Sequence, residues 1–406
     1  LDPFYFPLFH LLRHEKTFLF INFSFHPLLI VILFYTNLKF VQFYILNGKI
    51  YYLTSHSQNV KRKSLTFLEK KVMYGLIRYS ELGDGEIISI LDVKPSSFYS
   101  IKRRLFNMGI LRSLYIPMVN KIGGELLAVI HSNFNPVIPL EERVKATKKA
   151  IEISEEIFLS IGERDKGFSL SFSRDYTNIG KINDVRTETF GRLGLFDKEY
   201  PLEVIFPFDI SRIERFFDYS RLLARSFGLE HADGKKFWFV GRENCAMNEK
   251  EKKVLLGLIE EPFLNSTNLA KKISISRNTV NKIKNDLIER DLIRRIVIPN
   301  LDKLGFEILA FYHIKYNPNK PPNQDDLKKL ETDSTIFLAN RKFETVMISA
   351  YPTYQDYKED KMEKIRYLKE RDLITLDPLI RKYMFNKMRI IKDFDFSSIA
   401  RKLLYH

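Results

Sequence analysis

The chain has 406 residues, with 65 Lys and Arg against 50 Asp and Glu, a formal charge of +15 and a pI near 9.5. That length exceeds what one core needs and calls for several domains, and the basic excess favours a polyanion such as DNA, RNA or an anionic membrane as partner. A single cysteine, Cys245, excludes an internal disulfide and a cysteine-rich zinc site.

Positions 1–63 differ in kind from the rest. They are crowded with Phe, Leu, Ile, Tyr and Asn, lack Ala, and hold one Gly, Gly48. Positions 17–38 carry no formal charge and are long enough to span a bilayer. Lys49, Lys61, Arg62 and Lys63 on the far flank would keep the remainder in the cytoplasm. The preferred reading is different: this is the composition of translated AT-rich non-coding DNA, ahead of a start near Val60 or Leu65. No function is placed here, and the protein is expected in the cytoplasm.

Positions 65–122 read as three short helices and a strand. Asp84 is placed to cap the second helix, and Lys94-Pro95-Ser96 opens the third with Pro near the favoured first helical position. The third helix turns Ser96, Ser97, Tyr99, Ser100, Lys102, Arg103 and Arg104 outward. Gly83 to Met118 carries a surplus of two positive charges. Positions 123–228 continue as strand 125–134, helix 140–156, strands 157–161 and 168–172, a helix near 177–192 and strand 202–208. The order β-α-β-β-α-β is the split βαβ, ferredoxin-like arrangement.

Positions 229–246, with the sole Trp238, lead into a second passage of the same kind. Val254, Leu255, Leu258 and Ile259 give Lys252 to Glu260 an apolar face at helical spacing. Glu261-Pro262 breaks that helix, Ser266 is placed to cap a second, and Ser276 caps a third from Arg277 to Glu289. In the third, Val280, Ile283, Leu287 and Ile288 form the inner face and leave Arg277, Asn278, Thr279, Asn281, Lys282 and Lys284 outward. The strand from Leu292 to Ile298 carries Arg294 and Arg295 near its start. Strands 307–316, 336–339 and 345–350 and helices 325–332 and 355–371 complete 305–406.

These outward residues suit DNA. A helix N-terminus offers amides and partial positive charge to phosphates, and Asn and Arg in the first turns match adenine and guanine edges in the major groove. Asn265 to Asn300 holds eight Lys and Arg against three Asp and Glu. The expected partner is double-stranded DNA, its bases read by Arg277, Asn278, Thr279, Asn281 and Lys282, with Lys284, Arg294 and Arg295 on phosphates. The helix carrying Ser96, Ser97, Tyr99, Lys102, Arg103 and Arg104 is expected to contact phosphates more than bases.

The two passages overlay. Sliding the chain by 182 positions lays Leu65–Pro136 on Met247–Pro318 without a gap, with about three positions in ten identical. Glu69-Lys70-Lys71-Val72 falls on Glu251-Lys252-Lys253-Val254, and His131 on His313. Further on, Ile157-Phe158-Leu159 overlays Ile336-Phe337-Leu338 at 179, and Phe217-Asp218-Tyr219-Ser220 matches Phe394-Asp395-Phe396-Ser397. A self-match of this length points to an internal duplication of a whole domain, not a short solenoid unit. The expected fold class is α+β: two winged helix-turn-helix domains (65–122 and 247–304), each followed by a ferredoxin-like domain (123–228 and 305–406).

The stretch from Leu269 to Ile314 resembles the Lrp/AsnC (leucine-responsive/asparagine regulator) family of bacteria and archaea, in which a helix-turn-helix leads into a Leu-Gly-aromatic strand. Here that strand is Leu304-Gly305-Phe306-Glu307-Ile308-Leu309-Ala310-Phe311. The resemblance implies a transcription regulator, an archaeal source, pairing of sensing domains as in a dimer, and a small-molecule effector held by a loop with a Gly and a nearby Asp. Gly162 and Asp165 loosely take that place; Asn340-Arg341-Lys342-Phe343-Glu344, the corresponding loop, has no Gly. A structural role for the loop competes with the effector reading.

No Gly-rich phosphate loop, paired-Cys motif or His-Glu helix motif occurs, so no enzyme, metal or cofactor is expected. His131 and His313 are read as packed or hydrogen-bonded strand residues. The alternative function is a small-molecule-sensing or protein-interaction scaffold whose helix-turn-helix units serve for dimerisation, favoured by the weak charge surplus of Gly83 to Met118.

Overall fold

The computed structural model describes residues 65–405 apart from position 198 and 232–237, together with the backbone of four strands within the first 64 residues. Leu1–Ser64 and Leu65–His406 are separate compact units. In the first, β1 (Phe18–Phe23), β2 (Ile30–Thr36), β3 (Lys39–Leu46) and β4 (Lys49–Ser55) form an antiparallel sheet in that order. The stretch 17–38, offered above as a bilayer-spanning helix, therefore contains two paired strands; aromatic and β-branched residues favour that state. The other positions of 1–63 lie outside the described residues. No helix among the described residues is long and apolar enough to cross a membrane.

The larger unit is α+β, made of helices and antiparallel sheets. Its first half runs α1 (Phe67–Arg78), α2 (Asp84–Leu91), α3 (Pro95–Asn107), β5 (Leu111–Pro117), β6 (Leu126–Asn133), α4 (Leu140–Ile153), β7 (Ile157–Gly162), β8 (Lys166–Ser173), α5 (Tyr176–Arg192), β9 (Leu202–Pro207), β10 (Ser211–Phe216) and α6 (Ser220–Phe227). After β11 (Phe239–Val240) the second half runs α7 (Glu249–Glu260), α8 (Ser266–Ile273), α9 (Arg277–Glu289), β12 (Ile293–Pro299), α10 (Leu301–Leu304), β13 (Ile308–Lys315), α11 (Gln324–Leu330), β14 (Thr335–Arg341), β15 (Glu344–Tyr351), α12 (Tyr354–Glu370), β16 (Leu379–Met384), β17 (Arg389–Lys392) and α13 (Ser397–Tyr405).

Each triplet of helices is fixed by local chemistry. Thr66 and Glu69 form a reciprocal capping box on α1, and Asn248 and Glu251 do the same on α7. Gly75 and Gly257 sit mid-helix because a Cβ there would lie 2.5 Å from Leu91 and 2.7 Å from Leu269, so α2 and α8 pack onto bare backbone. Two expected caps move by one residue. Gly83, not Asp84, precedes α2, and Asn265, not Ser266, caps α8 by accepting from the Asn268 amide at 2.9 Å. Ser274, in the left-handed region at φ 56°, turns the chain from α8 into α9.

The strands form three sheets. β5 and β12 pair antiparallel as a two-stranded ribbon. The second sheet has the order β17-β7-β8-β6-β9, and the third β11-β10-β14-β15-β13-β16. Two strands leave their own half: β10 pairs with β14, and β17 with β7. The sheets face each other across an aromatic layer in which Phe158 stacks on Phe172 at 4.6 Å and Phe396 at 4.9 Å, and Phe168 on Phe311 at 5.2 Å. Each such pair adds about 0.5–1.5 kcal/mol beyond the area it buries. Helix α5 covers the outer face of one sheet through Ile179 against Leu126 and Ala128, and α11 and α12 cover the other through Leu330 and Leu368 beside Tyr312.

The later overlay is corrected by one residue. The bulges fall between Ile157 and Leu159 and between Thr335 and Phe337, so Ile157 corresponds to Thr335 at an offset of 178, not to Ile336 at 179. The backbone agrees: the Asp218 amide donates to the Ile336 carbonyl and the Asp395 amide to that of Phe158, each at 3.0 Å.

Candidate nucleic-acid interface

Helix α9 is the strongest candidate. The Ser276 hydroxyl accepts from the Thr279 amide at 3.2 Å, which closes the first turn. Val280 and Leu287 are fully buried and hold the helix against the core. On the other side Arg277, Asn278 and Lys282 are exposed, and Thr279, Asn281 and Lys284 are half-buried. Two of these side chains already have neighbours. The Thr279 hydroxyl lies 2.8 Å from that of Ser276, and the Lys284 ammonium sits 5.5 Å over the Tyr115 ring. Arg277, Asn278 and Lys282 are thus the side chains best placed to meet a ligand in solvent.

Helix α3 is more committed to its own domain. Ser96, Tyr99 and Arg103 are exposed and Ser97 is half-buried. The Lys102 ammonium contacts both Asp84 carboxylate oxygens at 2.6 Å. Arg104 pairs with Glu69, the same side chain that caps α1. Two of the three cations expected on phosphates therefore hold ion pairs within the chain.

Arg294, expected on a phosphate, is not presented to solvent. Strand β12 is paired along its length with β5, and Arg294 is buried, with its guanidinium on both oxygens of Asp291 at 2.6 and 2.8 Å and 4.9 Å over the Trp238 ring. Burial alone would raise the Asp291 carboxyl, but Arg294 and Lys121 outweigh it and hold it below its usual range. Arg295 is half-buried and donates from Nε to the Ser113 hydroxyl at 2.9 Å.

The loop of Gly162 and Asp165 encloses one of the chain's own side chains. Arg143 on α4 is buried, its guanidinium donating to the carbonyls of Arg164, at 2.6 Å, and Glu163, and lying 4.2 Å over the Phe134 ring. Burial pulls its pKa down to about 10. A Cβ at Gly162 would sit 3.0 Å from this guanidinium, which accounts for the Gly. Asp165 is exposed and pairs with Lys166 at 2.9 Å. The geometry explains both residues without an effector.

His131 and His313 meet in the layer between the sheets. His131 Nε2 lies 3.3 Å from His313 Nδ1, and His313 Nε2 lies 2.7 Å from Glu344 Oε1. Burial pushes the His131 imidazole down to about 3, with Arg381, His313 and Lys315 adding to it. Arg381, buried on β16, donates to the Ser132 carbonyl at 3.2 Å and to the Asn133 side chain. Among the described residues no group of three or more His, Cys, Asp or Glu could hold a metal ion. The overlay marked the histidines as equivalent strand positions but not as each other's neighbours; Arg143 and Arg381 had no sequence signal, since a buried Arg reads like a surface one.

No family model and no curated protein matches the chain. Among solved structures it is similar to the siroheme decarboxylase NirDL, at 12% identity and a TM-score of 0.43 over 83% of this chain and 98% of that one. It is also similar to an AsnC family transcriptional regulator from Agrobacterium tumefaciens (16% identity, TM-score 0.26, 34% of this chain and 89% of that one). A third is the transcriptional regulator NMB0573 in complex with L-Met from Neisseria meningitidis (10% identity, TM-score 0.28, 34% of this chain and 90% of that one).

Proposed function

We propose that this protein is a sequence-specific, double-stranded DNA-binding transcription regulator of Lrp/AsnC-like kind that works in the cytoplasm and catalyses no reaction. In this reading 65–122 and 247–304 are two winged helix-turn-helix units, and the βαββαβ segments after them are ferredoxin-like domains. Both arose by duplication, so one chain carries the two half-site readers of a dimer. Helix α9 enters the major groove with Asn278 and Arg277 on base edges and Lys282 on a phosphate. Helix α3, through Ser96, Tyr99 and Arg103, anchors on the backbone. The observation that carries the reading is the exposed row of Arg277, Asn278 and Lys282 on a capped helix whose apolar side is buried. The test is titration of the full chain with random duplex DNA at low and moderate salt. Affinity falling steeply with salt supports the reading; no salt-dependent binding at micromolar protein overturns it.

The scaffold reading retains one specific observation, the ion pairs that occupy Lys102 and Arg104. Under it α3 is a structural element, and neither a small-molecule effector nor pairing of two chains depends on DNA.

A further inference from the structure

The two halves differ where Trp238 and Phe239 pass. At corresponding positions in the two halves stand Arg112 and Arg294, Phe385 and Phe208, Ile390 and Ile213, and Asp393 and Phe216, by the offsets of 182 and 177 that relate the halves. On one side this wall is filled. Phe239 stacks on Phe208 at 5.5 Å and meets the Phe216 ring edge-on at 5.4 Å. Trp238 lies 5.4 Å from Phe216, its amide donates to the Ile213 carbonyl at 3.0 Å, and Arg294 covers its indole. Trp238, and Phe239 at the start of β11, thus plug that pocket with two aromatic rings.

The corresponding place on the other side is a cavity of about 380 Å³. Its walls are mainly apolar, including Leu309, Ile348, Phe385 and Met388, with Arg112, Asp393, Asn300 and Asp302 among the polar residues that line it. There Arg112 pairs with Asp393 and lies 5.5 Å over the Phe394 ring. A volume of this order falls within the range of small-molecule sites, which are mainly apolar with a few polar groups to fix orientation.

We infer that this cavity binds a small planar aromatic molecule without net charge, of one or two fused rings. Such a ligand takes the place that Trp238 and Phe239 take in the opposite pocket. The plug supplies the argument for the class: a wall alike at Phe208 and Phe385, Ile213 and Ile390, and Arg294 and Arg112, though with Asp393 where Phe216 stands, already accepts an indole and a phenyl ring. Arg112 is neutralised by Asp393 as Arg294 is by Asp291. Both guanidiniums can therefore lie on a ring face without demanding an anion. The site does not depend on whether α9 meets DNA.

Indole is the probe. Calorimetric titration of the full chain should show saturable binding of one indole per chain, with a Kd on the order of 1 mM or tighter. Met388→Trp places an indole of the chain's own in the cavity and should weaken binding at least about tenfold, whereas Arg112→Met removes the cation and should weaken it about threefold to tenfold. Circular dichroism melts confirm that each variant is folded. No saturable binding to the parent chain, or unchanged affinity in a folded Met388→Trp variant, overturns the inference. DNA is absent from this titration, so its failure leaves the DNA-binding reading untouched.

Discussion

Leu114 on β5 lies opposite Ile296 on β12, the residue 182 positions further along the chain. The antiparallel ribbon is symmetric about that pair: Leu111 faces Pro299, and Pro117 faces Ile293. A ribbon in which each half meets its own counterpart ties α3 and α9 to one another through β5 and β12. Two DNA readers joined this way would be presented as a fixed pair.

Replacing Asn278 with Ala should cost about 1–3 kcal/mol on the preferred duplex and little on random DNA, because one bidentate base contact is lost. Competition binding with the two duplexes measures this. Equal losses on both would place Asn278 off the bases.

Lys282→Ala should weaken binding on every sequence alike and flatten the dependence of log K on log salt by about one charge. Lys284→Ala should change that slope less, since its ammonium already lies over Tyr115, and should instead reduce stability by about 0.5–1 kcal/mol. Binding isotherms at several salt concentrations, with urea melts, separate the two lysines.

His131 makes stability depend on pH in a definite direction. Its folded pKa, about 3, is below that of a free imidazole, near 6.5, so the unfolded chain binds the extra proton between those values. Stability should therefore fall as pH is lowered from about 6.5 toward 3, by up to about 1.4 kcal/mol per pH unit. Glu344 adds a loss at lower pH. Burial alone would raise its carboxyl, but His313 and Arg341 hold it below the usual range, so its contribution disappears as pH falls through that depressed pKa. His131→Phe should remove most of the slope above pH 5; urea melts across this range would show it.

Arg143→Met should destabilise the fold by about 2–4 kcal/mol by leaving the carbonyls of Glu163 and Arg164 without their donor. Gly162→Ala, which puts a methyl 3.0 Å from the same guanidinium, should cost about 1–3 kcal/mol. Effector binding at this loop would give a different pattern, with ligand affinity lost and stability retained.

Phe239→Ala should cost about 3–5 kcal/mol, because its ring fills a pocket walled by Phe208, Phe216 and Phe172. Thermal melts read this directly.

Local signals carried much of the fold. The bounds of α9 follow from Ser276 and from Val280 and Leu287 at helical spacing, and they stand where the sequence puts them. The caps of α2 and α8 shift because Gly83-Asp84 and Asn265-Ser266 each offer two adjacent residues able to precede a helix. What the sequence hid is non-local. In β10, Ser211-Arg212-Ile213-Glu214-Arg215-Phe216 is two-thirds polar, and its pairing with β14 more than a hundred positions away leaves no local mark. The same holds for Arg294, which reads as a surface cation until Trp238 is laid across it. The matching Phe217-Asp218 and Phe394-Asp395 were visible as a repeat. The structure adds their cause: both Phe residues have positive φ, 51° and 46°, and each Asp accepts from the amide of the Ser two residues on.

The central claim is that α9 grips double-stranded DNA. Its most direct test compares the full chain with an Arg277→Ala, Lys282→Ala double variant, titrated against one random duplex at several salt concentrations. The account predicts micromolar or tighter binding that weakens steeply with salt, and a variant that binds less and has a slope shallower by about one charge. Identical isotherms for the two proteins, or none that respond to salt, would contradict it.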